Sequence, residues 1–455
     1  MQLIWMKVLL VNWGGEMKKN IKIVIVGAGS TSFGLSMIRD AFATKELWGS
    51  ELVLVDNNIS ALKLIFKVAT RMNIELNADF KISMTTNRIE AFQNAKYIII
   101  SIAVNRNEMW IKDFTIPQKY GVKHILGENG GPGSVFHTMR NIPVILEICK
   151  DIEDICPDAV VINFTNPESR ICLAINKYTS VKAIGLCHQI YEGIKIISKI
   201  MERADDSFEI KAYGINHFTW VKEIRDKKTC DDLYPVLQEK EKNYNSSYEP
   251  LTRFLFHKFG LFPTSGDIHL GEYISYAHEM VSTEGYKFKL NEQRRNELWS
   301  FIKDFGNNKL SLTDEFKFPG HGNISLLKPS GERAFDIIRG IECDTNEVID
   351  SANVPNEDYI ENLPRNSIVE VPVIVNGYGV KGIKMGDLPR GISAMCINEI
   401  NIQHLVVDAG VTGNNELVQQ ALLIDSTIGS ANAAMGIYSE MMKINKEYYP
   451  QFYKE

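Results

Sequence analysis

Three features predict an α/β fold for this chain. An apolar strand runs straight into a glycine turn, a second strand ends in an acid, and strand-like and helix-like segments alternate over the first 200 residues. Such alternation buries best as a parallel sheet with helices on both faces. The expected architecture is a Rossmann-type dinucleotide-binding domain over 21–200, followed by an α+β catalytic and substrate domain over 201–455. Residues 1–20 read as a disordered or mispredicted extension with Met17 as the expected initiator, because they show neither caps nor periodicity and lack the pattern of a signal peptide.

The first strand, Ile21–Val26, is interrupted only by Lys22 and feeds into Gly27-Ala28-Gly29-Ser30. Glycines at 27 and 29 suit a tight bend that brings backbone N–H groups and a helix N-terminus close to a pyrophosphate. A GxGxxG spacing would put a third glycine at 32, where Ser32 stands, and Gly34 follows two residues later. A GxG after a strand also fits a plain strand-to-helix turn. The second strand, Glu51–Val55, ends in Asp56, 29 residues beyond Gly27. An acid there can hold a ribose diol and would repel the 2′-phosphate of NADP, which points to NAD. Further strands are expected at Tyr97–Ile102 and Val160–Phe164, with a helical pattern from Val135 to Glu153. Glycines 127, 130, 131 and 133 precede the helix expected near Ser134. They read equally as a helix-capping loop or as a loop that closes over ligand.

Beyond residue 200, helical segments such as Gln293–Lys303 and Asn415–Leu423 mix with strand-like pieces such as Ser367–Val375. The expected layout packs these against the sheet domain with the active site between them. Gly320-His321-Gly322-Asn323 and Gly331-Glu332-Arg333-Ala334 read as substrate-facing loops. Arg333 suits either a uronate partner or a surface ion pair.

A net charge of −6, with no long basic stretch, gives no general attraction for nucleic acid or an anionic membrane. No apolar run reaches the length needed to span a bilayer. Seven cysteines without a CxxC pair argue for a reducing compartment, and hence a cytoplasmic location.

Cys187 and His217, 30 residues apart, each follow a strand-like apolar stretch. At such positions residues face the ligand crevice of an α/β sheet. A thiolate and an imidazole can hold a divalent ion while leaving coordination positions open, although a lone Cys or His is more often a core residue than a ligand. Taken together, Gly-x-Gly-Ser-x-x-Phe at 27–33, Asn166-Pro167, Gly-Leu-Cys-His at 185–188 and Gly-Ile-Asn-His at 214–217 resemble glycoside hydrolase family 4. Gly131-Pro132-Gly133, Arg140-Asn141-Ile142-Pro143, Asn362-Leu363-Pro364, Val369-Glu370-Val371-Pro372 and Leu405–Ala409 are similar to that family too, so the resemblance runs from about Ile21 to Ser439.

The resemblance implies that Cys187 and His217 hold Mn2+ or another divalent metal, that Gly27, Gly29, Ser30, Phe33 and Asp56 bind NAD, and that Asn166 touches the sugar. Members that use 6-phosphorylated sugars carry Asp or Asn after the metal cysteine, whereas His188 looks like the α-glycosidases of unphosphorylated sugars. Gln189, and Gly127-Glu128-Asn129 where many members read Gly-Gln-Glu, depart from the family pattern. The implied reaction is hydrolysis of an α-glycosidic bond in an unphosphorylated hexoside or uronide. It runs through C3 oxidation, C2 deprotonation, elimination, water addition and re-reduction. The segment Phe262–Tyr273 is similar to the one that supplies the C2 base, with Asp267 the first candidate and Tyr273 the second. Asp267 equally suits an N-cap for a helix beginning near Ile268. His188 would assist the leaving group or bind a hydroxyl. The rival readings are an NAD-dependent 2-hydroxyacid dehydrogenase and a non-catalytic NAD-binding regulator. The implied partners are a small glycoside and a second copy of the chain, in a homodimer or homotetramer.

Overall fold

The computed structural model describes residues 21–31, 33–284, 287–318 and 322–453. The expected N-terminal extension with Met17, as well as Ser32, Gly320 and His321, lie outside the described residues.

Strands β1 (Lys22–Val26), β2 (Glu51–Val55), β3 (Lys81–Thr85), β4 (Tyr97–Ile100), β5 (Val160–Asn163) and β6 (Lys182–Gly185) lie in the order β3-β2-β1-β4-β5-β6. Each adjacent pair in that row is parallel. The order reverses direction between β1 and β4, and a ligand crevice is expected outside the carboxyl ends of strands at such a switch point. Every residue of β4 is buried, as a strand covered on both faces requires. One face packs against the helices Phe33–Ala43 and Ile59–Leu76, and the other against Gly131–Ile155 and Glu168–Tyr178. Strand β3 is additional to the expected set. It is an edge strand with half-exposed residues, so it lacks the apolar run that marks its neighbours.

The second half adds β7 (Phe208–Ile215), β8 (Phe218–Asp226), β9 (Phe262–Pro263), the hairpin β10 and β11 (Glu315–Phe318 and Gly322–Ser325), β12 (Glu347–Pro355), β13 (Ile368–Asn376) and β14 (Gly379–Gly382). Apart from the β10–β11 hairpin these strands continue the first sheet in the order β6-β12-β13-β7-β8-β9, with β14 on β13. The joins are narrow: Asn353 pairs with Gly185 and Glu370 pairs with Gly214. The strands of both halves thus share one sheet. The expected helices appear as Phe288–Gly306 and Asn415–Ile424, and the expected strand as β13. Among the described residues, no helix is long and apolar enough to cross a membrane.

Candidate active site

The glycine turn is built for close approach. Gly27 sits at φ +90°, donates its N–H to the Val55 carbonyl at 2.9 Å, and would put a Cβ 1.9 Å from the Ser101 carbonyl oxygen. Gly34 assumes the packing role that the GxGxxG spacing assigns to residue 32. A Cβ there would lie 2.1 Å from the Ala28 carbonyl oxygen, so the helix Phe33–Ala43 rests directly on the turn. Asp56, at the end of β2, accepts the Gly29 N–H at 2.8 Å through one oxygen and the Asn58 N–H at 2.8 Å through the other. Ser30 Oγ accepts the Phe33 N–H at 3.3 Å, and the Phe33 ring leans on Phe164, just beyond β5, at 5.4 Å. Gly27, Gly29, Ser30, Phe33 and Asp56 are therefore neighbours around one turn.

Cys187 follows β6, and His217 occupies the turn between β7 and β8 in a left-handed conformation at φ +60°. The folded chain brings Cys187 Sγ to 3.2 Å from His217 Nε2. Burial, with His269 and His188 nearby, pushes the His217 imidazole well below its ordinary range, so it is held neutral as a metal ligand must be. Its buried Nδ1 has no partner. Burial likewise pushes the Cys187 thiol well up, and Glu370 adds to the shift, so a thiolate here calls for a cation beside it.

The surroundings are acidic. Glu370 accepts from Gln189 Nε2 at 3.0 Å, Asn216 Nδ2 at 3.1 Å and Ser351 Oγ. Burial lifts buried Glu168 to about 8. Gly185 makes room for Glu168, whose Oε1 lies 1.3 Å from where a Cβ would stand. A soft sulfur, a neutral imidazole and buried carboxylates suit a divalent ion of the Mn2+ to Zn2+ series.

The glycine-rich loop closes on Glu272. Glu272 Oε2 accepts the N–H groups of Glu128, Asn129 and Gly130 at 2.6, 2.6 and 3.1 Å, and its Oε1 lies 3.0 Å from His269 Nδ1. The His269 ring packs 4.2 Å from that of His217. Burial opposes a charge on His269, but Glu272 overrides it and holds the imidazolium up to about 9. Ligating atoms of His217, His269 and Glu272 all lie within 4.8 Å of one another. The helix after this loop starts at Gly131 rather than near Ser134. Glu128 pairs with Arg106 at 2.5 Å and receives the Asn166 amide at 3.4 Å. Asn166 is thus tied to the same loop.

The two base candidates, Asp267 and Tyr273, have different surroundings. Asp267 accepts the Leu251 N–H at 3.2 Å, the Thr252 N–H at 2.8 Å and Thr252 Oγ1 at 2.8 Å. It lies inside the short helix Gly266–Leu270 and caps the helix Pro250–Phe259, not one that begins at Ile268. Both its oxygens are spent on orphan helix donors. The Tyr273 hydroxyl instead donates to the Asn216 carbonyl at 3.2 Å, one residue from His217, and its ring contacts Phe218 at 5.2 Å. The His188 ring is 64% exposed and lies 3.4 Å from Glu332, whose carboxylate raises its pKa. Arg333 is turned to Asp336 at 3.2 Å.

Comparison with known proteins gives the family. A model of family 4 glycosyl hydrolases matches residues 22–203, and a model of the C-terminal domain of the same family matches 212–428. The chain belongs to glycoside hydrolase family 4. It is 34% identical to an α-glucosidase of Erwinia rhapontici, over 90% of this chain and 95% of that protein. It is 32% identical to an α-galactosidase of Bacillus subtilis (strain 168), over 89% and 92%. Its fold matches a 6-phospho-α-glucosidase from gut microorganisms, solved in complex with NAD and Mn2+, with a TM-score of 0.81 at 18% identity over 95% of this chain and 99% of that one.

Within this family 4 chain, sequence reasoning gave no role to Glu272, His269, Glu128 and Glu370, which lie around these candidates. Two signals were available. Glu370 is an acid inside the apolar strand β13, and His269 and Glu272 stand three apart beside Tyr273, on one side of a helical turn.

Proposed function

We propose that this family 4 protein hydrolyses the α-glycosidic bond of an unphosphorylated hexoside or uronide, with NAD and a divalent metal as cofactors. The observation that carries this reading is the meeting of Cys187 Sγ with the neutral, buried imidazole of His217 at 3.2 Å. The α-glucosidase and α-galactosidase names of its relatives support the reaction class.

In this reading Cys187 and His217 hold the metal. Gly27, Gly29, Ser30, Phe33 and Asp56 hold NAD, which makes 21–200 the cofactor half and 201–455 the substrate half. When bound, NAD offers a hydride acceptor for the sugar C3–H while the ion polarises the oxidised sugar, so that the C2–H becomes acidic enough to remove. The chain's own groups do the rest. Asn166, steadied by Glu128, binds a ring hydroxyl. Tyr273 takes the first place as base at C2 and Asp267 the second, since the carboxylate of Asp267 is occupied at the helix start. His188 stands exposed beside the metal cysteine, placed to bind a hydroxyl or to protonate the leaving oxygen. The protein acts in the cytoplasm as a homodimer or homotetramer, and light scattering on the purified protein checks the assembly.

The deciding test is release of nitrophenol from nitrophenyl α- and β-glycosides, including glucoside, galactoside, glucuronide and galacturonide, with and without NAD, Mn2+ and a thiol reductant. Hydrolysis of an α-glycoside only when all three are present supports the reading, and turnover in D2O should place deuterium at C2. Stoichiometric NADH formation without glycoside cleavage would favour the dehydrogenase, and NAD binding with neither Mn2+ binding nor turnover the regulator.

A further inference from the structure

We propose that Glu332 reads the sugar and makes the site selective for neutral hexosides against hexuronides and 6-phosphorylated sugars, an inference that rests on the glycosidase reading above. Glu332 Oε1 lies 3.4 Å from Nδ1 of His188, the residue next to the metal cysteine. Its Oε2 is buried and has no hydrogen-bond partner among the described residues. A carboxylate oxygen withdrawn from water without a donor is costly, and a sugar hydroxyl supplies the missing O–H.

The placement is built rather than incidental. The Glu332 N–H donates to Ser330 Oγ at 3.2 Å, and Ser330 donates both its N–H and its hydroxyl to Asp40 at 2.5 Å. Arg39 donates to the Lys328 and Pro329 carbonyls at 3.0 and 3.1 Å. Arg39 and Asp40 belong to the helix that leaves the glycine turn, so the segment 328–332 is strapped to the cofactor side of the crevice and holds Glu332 over the metal side.

Charge then sets the class of sugar. Among the described residues, His188 faces Glu332, His269 faces Glu272, Arg106 faces Glu128 and Arg333 faces Asp336, while Arg39 on the strap is engaged by the Lys328 and Pro329 carbonyls. A uronate or phosphate would meet the Glu332 carboxylate while these cations stay engaged. A neutral sugar offers it hydrogen-bond donors instead. Rejection by an opposing charge and attraction by a hydroxyl acceptor come from the same side chain.

The test compares wild-type, Glu332→Gln and Glu332→Asp proteins, each supplied with NAD and Mn2+. Two quantities are measured: kcat/KM on nitrophenyl α-glucoside, α-galactoside, the matching uronides and 6-phosphates, and calorimetric binding of free glucose, galactose, glucuronate, galacturonate and glucose 6-phosphate. Wild type should favour one neutral sugar about 100-fold over its anionic counterparts, in rate and in binding. Glu332→Gln should weaken the neutral sugar about tenfold and narrow that ratio, with NAD affinity unchanged as a check on folding. Glu332→Asp should keep the rejection of anions. Wild-type preference for a uronide or phosphate, or an equal loss on every substrate in Glu332→Gln, would overturn the inference while leaving the glycosidase reading in place. Absence of hydrolysis and of sugar binding across the whole panel would overturn both.

Discussion

At the scale of single residues, the site joins groups that a dry interior does not tolerate by themselves. Cys187 lies beside a neutral His217, with Glu370 and Glu168 close by, and a thiolate there would need a cation. Cys187→Ser and His217→Ala are each expected to abolish glycoside hydrolysis and Mn2+ binding while NAD titration stays as in wild type. Full activity in either variant would remove the metal assignment. The two base candidates separate in the same way. Tyr273→Phe should lower kcat by roughly 10²-fold or more with little change in melting temperature. Asp267→Ala should instead destabilise the fold by about 1–3 kcal/mol, because three donors at the start of Pro250–Phe259 lose their acceptor. A variant pair with these outcomes exchanged would restore Asp267 as the base.

At the scale of elements, the sheet positions the strand ends while Glu272 positions the loop. A single carboxylate caps three successive N–H groups of Glu128–Gly130 and orients His269 against His217, so the glycine-rich loop and the Cys187–His217 pair are mechanically linked. Its charge matters because hydrogen bonds to an ionised acceptor are about twice as strong as neutral ones. Glu272→Gln should speed amide exchange at 128–130 and lower the His269 pKa from about 9 towards the ordinary imidazole range, as read by NMR titration. Unchanged exchange at these amides would show that the loop is held by something other than Glu272. The strap at 328–332 is the counterpart on the other wall, tied to the helix Phe33–Ala43 through Asp40.

At the scale of the whole molecule, one sheet runs through both halves, and the two should unfold together. A fragment ending near residue 200 would bare the β6 edge where β12 pairs, and is expected to lack a cooperative transition of its own. Stability should also depend on pH in a defined direction. Burial raises Glu168 to about 8 and Glu399 to about 7, so the native state keeps protons that the unfolded chain releases near 4.5. Burial lowers His124 to about 4 and His137 to about 3, so there the unfolded chain binds protons near 6.5 that the native state refuses. The histidine contribution is complete above about pH 6.5 and is lost as pH falls through the range below it. The two effects oppose each other between 4.5 and 6.5. From 6.5 to 8 the buried carboxyls and His269, which is held up to about 9, all keep protons that the unfolded chain releases, and the unfolding free energy should fall as pH rises, by at most about 1.4 kcal/mol per unit for each proton released. Chemical denaturation of the cofactor-free protein checks this. Glu168→Gln should flatten the decline, and a stability that rises across this window would contradict the burial argument.

What the sequence determined by itself is whatever depends on local order. Apolar runs ending in glycine or acid mark β1, β2, β4 and β5, and the run into Cys187 announces a ligand at a strand end, because period and punctuation follow from neighbours along the chain. The family, too, was legible in short motifs such as Gly185-Leu186-Cys187-His188. The tertiary structure alone decided that Gly34 supplies the third glycine, that Asp267 serves a helix start while Tyr273 reaches the Asn216 carbonyl beside His217, that Glu272 holds the loop, and that Glu332 reaches His188 from 144 residues away. Each of these rests on where a side chain ends in space and on which donors compete for it. That competition exists only once segments distant in sequence are packed into one interior.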